Sequence, residues 1–316
     1  PRLDHPLELN SGRLLLQGSH LDVQDLNAAL GKSEIRRFRL HADWSEGGDL
    51  DAAAETAVIH GEDLFPAVAG WPGMNAVRED IAGLRGIVAV SGPSLKGPLR
   101  DPRRWRLKAV AEVADIVIAT TFLDEPIRIP AGRLAAAGVE SSEGSVTEWR
   151  IDAARLSIGP DAAVVNGDIA FSPAETRLDL NVVAESLDWN EIERISARMA
   201  ARRPGESRPV RGRVGLRAEH FIIDRFRNTP FYADAAITPQ GANVLIERAG
   251  FCGITLIGRI SFDGPMVDAH LVPVAEGMAL DSVVSCLTAE KSKITGNFNL
   301  NGALQVNARR EGLAKA

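Results

Sequence analysis

The chain has 316 residues, 45% hydrophobic and 25% charged, with a net charge of −6 at neutral pH. This is the composition of a folded chain with a sizeable core, and it excludes a disordered segment. The acidic balance gives no electrostatic grip on nucleic acid, and no apolar run approaches the ~20 residues that span a bilayer as a helix.

In chain order, the first predicted element is a helix. HLDVQDLNAAL, residues 20–30, sets Val23, Leu26 and Leu30 on a helical stripe behind Asp22, whose short carboxylate suits an N-cap. A second helical stretch is predicted within residues 61–83, broken by GWPGM. From residue 84 another pattern takes over, apolar-x-Gly-x-apolar-x-apolar. It occurs at Leu84/Gly86/Val88/Val90, Val165/Gly167/Ile169/Phe171, Val210/Gly212/Val214/Leu216, Leu256/Gly258/Ile260/Phe262, Ile294/Gly296/Phe298/Leu300 and Leu300/Gly302/Leu304/Val306. Six matches compare with roughly one expected by chance. Glycine inside an alternating run suits a bulge, a bend or a close backbone approach, so the pattern predicts strands of a curved sheet. The spacing between the glycines is uneven, which excludes a fixed-period solenoid.

Further alternation supports the same fold. Leu178, Leu180 and Val182 share one parity against Arg177, Asp179 and Asn181; Val214 and Leu216 alternate with Arg213 and Arg217; Val267, Ala269 and Leu271 alternate with Asp268 and His270. One dry face per strand suits antiparallel pairing, and FSPAET, ITPQGA and SFDGPM read as hairpin joints. Two more helices are predicted. SLDWNEIERISARMAARR carries Asp188 as N-cap with Glu191 behind it, and Trp189, Ile192, Ile195 and Met199 on one face. ALDSVVSCL begins at Asp281. The expected fold is mainly β with a few short helices, a long, curved antiparallel sheet forming an open groove whose ends the helices plug or cover. A closed sandwich or barrel would cover the same faces equally well.

Catalytic patterns are not found. The six histidines show no metal-ligand spacing, and no GxSxG elbow, phosphate loop or GxGxxG occurs, so neither an enzyme nor a cofactor is expected. RDPRRWRL gathers Arg100, Arg103, Arg104 and Arg106 around Trp105: either a contact for anionic lipid headgroups or a solvated turn with an anchoring Trp.

The stretches FCGITLIGRISFDG…MALDSVVSCLTAEKSKITGNFNLNGAL and LKGPLRDPRRWRLKAVAEVADIVI resemble the C-terminal region of AsmA-like proteins, of the repeating β-groove group that includes TamB-like and YhdP-like members. The resemblance covers most of residues 84–316. It implies an apolar-lined U-shaped sheet on the periplasmic face of the bacterial inner membrane, phospholipid as cargo, and other envelope proteins as partners. It also implies an N-terminal membrane anchor that this sequence does not contain. Opening on Pro1 with no signal peptide, the chain reads as a fragment or processed form. Three modules are expected, at 1–83, 84–203 and 204–316. The candidate groove-lining residues are Leu178, Leu180, Val182, Val214, Leu216, Ile260, Phe262, Phe298, Leu300 and Leu304, with Arg103, Arg104 and Arg106 at headgroups. In a periplasmic setting, Cys252 and Cys286 could form a disulfide; the other reading is two small buried hydrophobes that never meet. A scaffold module that binds another envelope protein through its sheet edges is the alternative function.

Overall fold

The alternating segments become strands almost without exception. The computed structural model describes residues 5–69, 79–101, 104–141, 144–172, 174–202, 209–288 and 293–309. Eighteen strands belong to one sheet, with three short helices among the described residues. The chain divides into two units. The first is Pro1–Pro160 with Val164–Thr176; the second is Asp161–Ala163 with Arg177–Ala316.

The first unit is a meander. β1 (Leu7–Gln17), β2 (His20–Leu30) and β3 (Ser33–Asp43) pair antiparallel in sequence order. β4 (Asp49–Ala53) and β5 (Thr56–His60) act as one interrupted strand, both lying between β3 and β6 (Ile81–Pro98). Helix α1 (Gly61–Ala69) joins β5 to β6, and β7 (Arg106–Thr120), β8 (Ile127–Ser141) and β9 (Gly144–Ile158) continue antiparallel. β10 spans Asp161–Phe171. The predicted boundary near residue 84 falls inside β6.

The predicted helix at 20–30 is instead the strand β2, bonded to β1 on one side and β3 on the other. The cause is a bulge. Asp25 has φ 52°, and the register against β3 shifts between Val23 and Leu26. An extra residue on a bulged strand lets side chains three apart share a face, which imitates helical spacing. Asp22 therefore caps nothing; its carboxylate lies 2.8 Å from His41 Nδ1.

The second unit begins with β11 (Thr176–Asp188) and α2 (Trp189–Arg202). β12 (Val210–Ile223), β13 (Phe226–Thr238), β14 (Gly241–Phe251), β15 (Ile254–Asp263) and β16 (Met266–Ala279) then pair antiparallel. Helix α3 (Leu280–Thr288) leads to β17 (Asn297–Asn301) and β18 (Leu304–Arg309), which share β16 as partner. One junction departs from the expected antiparallel order. Gly212 lies against the backbone of Leu178 and Gly215 against the side chain of Asn181, three residues further along both strands in the same sense. β11 and β12 therefore run parallel, with α2 in the crossover, and the sheet is mixed. Parallel neighbours need such a connection because a tight turn cannot return the chain to the starting end.

α2 is capped as its sequence predicts: the Asn190 N–H donates to Asp188 Oδ1 at 2.8 Å. Glu191 pairs with Arg194 along the helix. Asp281 falls in the first turn of α3 and not ahead of it.

Candidate apolar binding face

Cross-strand registers carry side chains from neighbouring strands onto one face, so the face can be read row by row. In the second unit, Leu216 stands opposite Ala233, then Ile246, Gly258, Leu271 and Leu304. The neighbouring row is Val214, Ala235, Val244, Ile260, Ala269 and Val306. On one side of these lies Gly212, Ile237, Ala242, Phe262, Val267 and Ala308, and on the other Ala218, Phe231, Ala249, Leu256 and Pro273. Every position in the four rows is apolar. A Cβ at Gly258, where φ is +149°, would meet the backbone of His270 and Leu271, so glycine lets the two strands approach inside this face.

The registers thus place Val214, Leu216, Ile260, Phe262 and Leu304 together. Leu300 joins them opposite Ala275, and Phe298 pairs with Met278 beyond a register shift. Leu178, Leu180 and Val182 are half-buried on β11, with Arg177, Asp179 and Asn181 exposed on the other side. Leu216 and Ile260 also pack on a small buried cluster of Ala218, Phe221, Phe231, Ala233, Ile246 and Ala249. The remaining candidates are half-buried, and Leu304 is 47% exposed.

Sequence reading placed every lining candidate in the second unit, yet the first has a face of the same kind. Leu9, Ala28, Ile35, Ala57, Val90, Ala111, Leu134 and Ile151 form one apolar row across eight strands. The glycine pattern at Gly86 signalled it, but the bulges in β2 hid the parity of the earlier strands.

The rows are partly covered: Ala28, Ala57, Ala218, Phe231, Ala233, Ile246, Ala249, Val267 and Ala269 are buried, Leu9 and Leu304 are exposed, and the rest are half-buried. No large side chain among the described residues is fully buried, and the chain leaves 19876 Å² accessible. A closed core at 33.9 kDa would leave about 12,800 Å².

Helices stand at one end of each face. In the first unit Asp63 of α1, 7% exposed, accepts from Lys32 N at 2.7 Å, Ser33 N at 2.9 Å and Ser33 Oγ at 3.1 Å. Burial works to raise its pKa, but these hydrogen bonds and the nearby His5 outweigh it and hold the carboxyl below the usual range. In the second unit Asn190 of α2 and Asp224 exchange two hydrogen bonds, Arg225 donates to the Leu287 carbonyl of α3 at 3.3 Å, and Cys286 of α3 is bonded to Cys252 between β14 and β15. The Cα atoms of the disulfide are 5.6 Å apart. These ties were invisible in the sequence apart from the cysteines, because each joins residues that only the sheet brings together.

The arginine-rich turn lies between β6 and β7. Trp105 Nε1 donates to the Pro98 carbonyl at 2.8 Å and so fastens the turn; Arg104 and Arg106 are exposed, and Arg103 lies outside the described residues. On the wet face of β2 and β3, the pKa of His41 is raised above its ordinary value, mainly by its hydrogen bond to Asp22. His220, on the apolar parity in sequence, has Nδ1 3.1 Å from Thr229 Oγ1. Among the described residues no group of three His, Cys, Asp or Glu could hold a metal ion, and no helix is long and apolar enough to cross a membrane. Comparison with known proteins returns no matching family model, no matching curated protein and no matching solved structure.

Proposed function

We propose that the apolar faces of this sheet hold the acyl chains of phospholipid, as a segment of an AsmA-like protein at the periplasmic face of the bacterial inner membrane that serves lipid transport or envelope assembly. The observation that carries this reading is the set of all-apolar rows, most of whose residues outside the small buried cluster are only half-buried. Burying a methylene is worth about 0.8 kcal/mol, so an alkyl chain laid on such rows is held without any polar group on the face. From Gly212 to Ala218 the four rows extend about 20 Å at about 3.4 Å per residue, enough for the ~15 Å of hydrocarbon that one leaflet holds. The disulfide supports an oxidising compartment. No catalytic role is proposed.

The test is native mass spectrometry of the chain purified from a bacterial periplasm, beside a variant carrying Phe298→Asp and Leu300→Asp. Phospholipid on the wild type and none on a folded variant is the expected result; a folded wild type without lipid overturns the reading. A second reading, binding of another envelope protein, is favoured by β1. All eleven of its residues are exposed, with Leu7, Leu9, Leu14, Leu15 and Leu16 between 46% and 65% accessible.

A further inference from the structure

We infer that β1 is an interface between two copies of this chain, paired antiparallel, edge to edge, about a two-fold axis. This gives the exposed strand one occupant, a second copy, and does not rest on the lipid reading.

Among the described residues β1 has β2 as its strand neighbour, and its other edge is open. Its leucines fall on both faces of the sheet. Leu14 heads an all-apolar row through Val23, Leu40, Ala52, Leu95 and Leu107, and Leu9 heads the eight-strand row described above. Leu16 stands opposite Leu21 and Leu7 opposite Leu30, whereas Leu15 stands opposite Asp22 on the wet face. The apolar face therefore runs out on four leucines. Leu14 is 65% and Leu9 62% exposed, against 6% for Val23 and 7% for Ala28 beside them on β2. A further strand along β1 would cover them.

The backbone of the same four leucines faces outward. Gln17 and His20 close a two-residue turn and so form a hydrogen-bonded pair; by alternation, Leu14 and Leu16 point their N–H and C=O groups away from β2. Leu30 and Ser33 close the next such turn, so Leu30 and Ala28 bond toward β3 and leave Leu7 and Leu9 directed outward as well. The strand is eleven residues long and holds no proline or lysine that would block a second strand. Its register shifts flank Ser11, at the centre.

The sequence of β1 selects the strand that fits. Leu7, Leu9, Leu14 and Leu16 are symmetric about the midpoint between Ser11 and Gly12. A two-fold axis there sets Leu7 against the second copy's Leu16, Leu9 against its Leu14, and the central irregularities against each other. The charges obey the same symmetry. Glu8 and Arg13, the two charged residues of β1, make no ion pair among the described residues. The axis brings each onto the diagonal of the other in the second copy, a separation that long side chains span. Such self-complementarity is what a two-fold contact requires, and an unrelated partner has no need of it.

The test is the mass of the 316-residue chain in solution, by light scattering over a wide range of concentration. At high concentration the wild type is expected at twice 33.9 kDa. A variant with Leu9→Lys and Leu14→Lys, folded by circular dichroism, should stay at the single mass throughout. Glu8→Cys with Leu15→Cys sets one thiol opposite the other across the axis, in a pair without hydrogen bonds where side chains come closest. The native cysteines are bonded to each other, so mild oxidation should link two chains through the new thiols, and either substitution alone should not. A wild type that stays monomeric, a lysine variant that still dimerises, or paired cysteines that fail to link would each overturn the proposal. Native mass spectrometry of the same wild type separates it from the lipid reading: lipid on a monomer sinks the dimer alone, and a dimer without lipid sinks the lipid reading alone.

Discussion

Cys252, in a turn of the sheet, and Cys286, on a helix 34 residues later, are joined with their Cα atoms 5.6 Å apart. The bond fixes α3 to the β14–β15 turn, and Val283, one turn back along the helix, is 4% exposed. Closing a loop of this length restricts the unfolded chain and is worth about 3–4 kcal/mol. A variant with Cys252→Ser and Cys286→Ser should lose about that much in urea unfolding. A dithiol reductant should lower the wild type to the same level and leave the variant unmoved.

Packing and lining should separate on substitution. Phe221, 4% exposed and stacked on Phe231, belongs to the buried cluster, so Phe221→Ala should cost about 3–5 kcal/mol. Leu304 lines the same face at 47% exposure, and Leu304→Ala should cost under about 1 kcal/mol. Denaturant midpoints of the two variants decide this; equal losses would mean the face is covered after all.

Asp63→Asn removes a charge that three hydrogen bonds and burial surround, and should destabilise the first unit by about 1.5–3 kcal/mol at neutral pH. The sign with pH follows from the depressed pKa of the carboxyl. Its contribution is full above the unfolded aspartate value and fades as pH falls through the lower folded value. Unfolding curves of wild type and variant should therefore converge in strong acid and stay apart near neutrality.

The His41–Asp22 pair gives a local reporter. Asp22→Asn should bring the raised pKa of His41 back toward its ordinary value, read from its imidazole NMR shifts. In the wild type the favourable contact is present below the ordinary histidine value and is lost as pH rises through the raised one. Both side chains are largely exposed, so salt should reduce the difference. An unchanged titration in the variant would break the assignment.

What the sequence by itself determined was local. Alternation of period two identified the strands because it is written residue by residue. The glycine pattern was also local: Gly86, Gly167, Gly212, Gly258 and Gly296 all have positive φ, which only glycine adopts freely. Asp188 capped its helix because a cap involves neighbours two residues apart. Tertiary structure decided the rest. Whether Val23 and Leu26 share a face depended on a bulge against β3, and whether β11 and β12 run parallel depended on the path of the chain through α2. The pairing of Cys252 with Cys286 needed the sheet to bring a turn and a helix together. Above all, an apolar row reads the same in sequence whether another layer covers it or water does. Covering is a contact between distant segments, and only the folded chain shows that Leu304 is left in the open while Ala233 and Ile246 in the same row are buried.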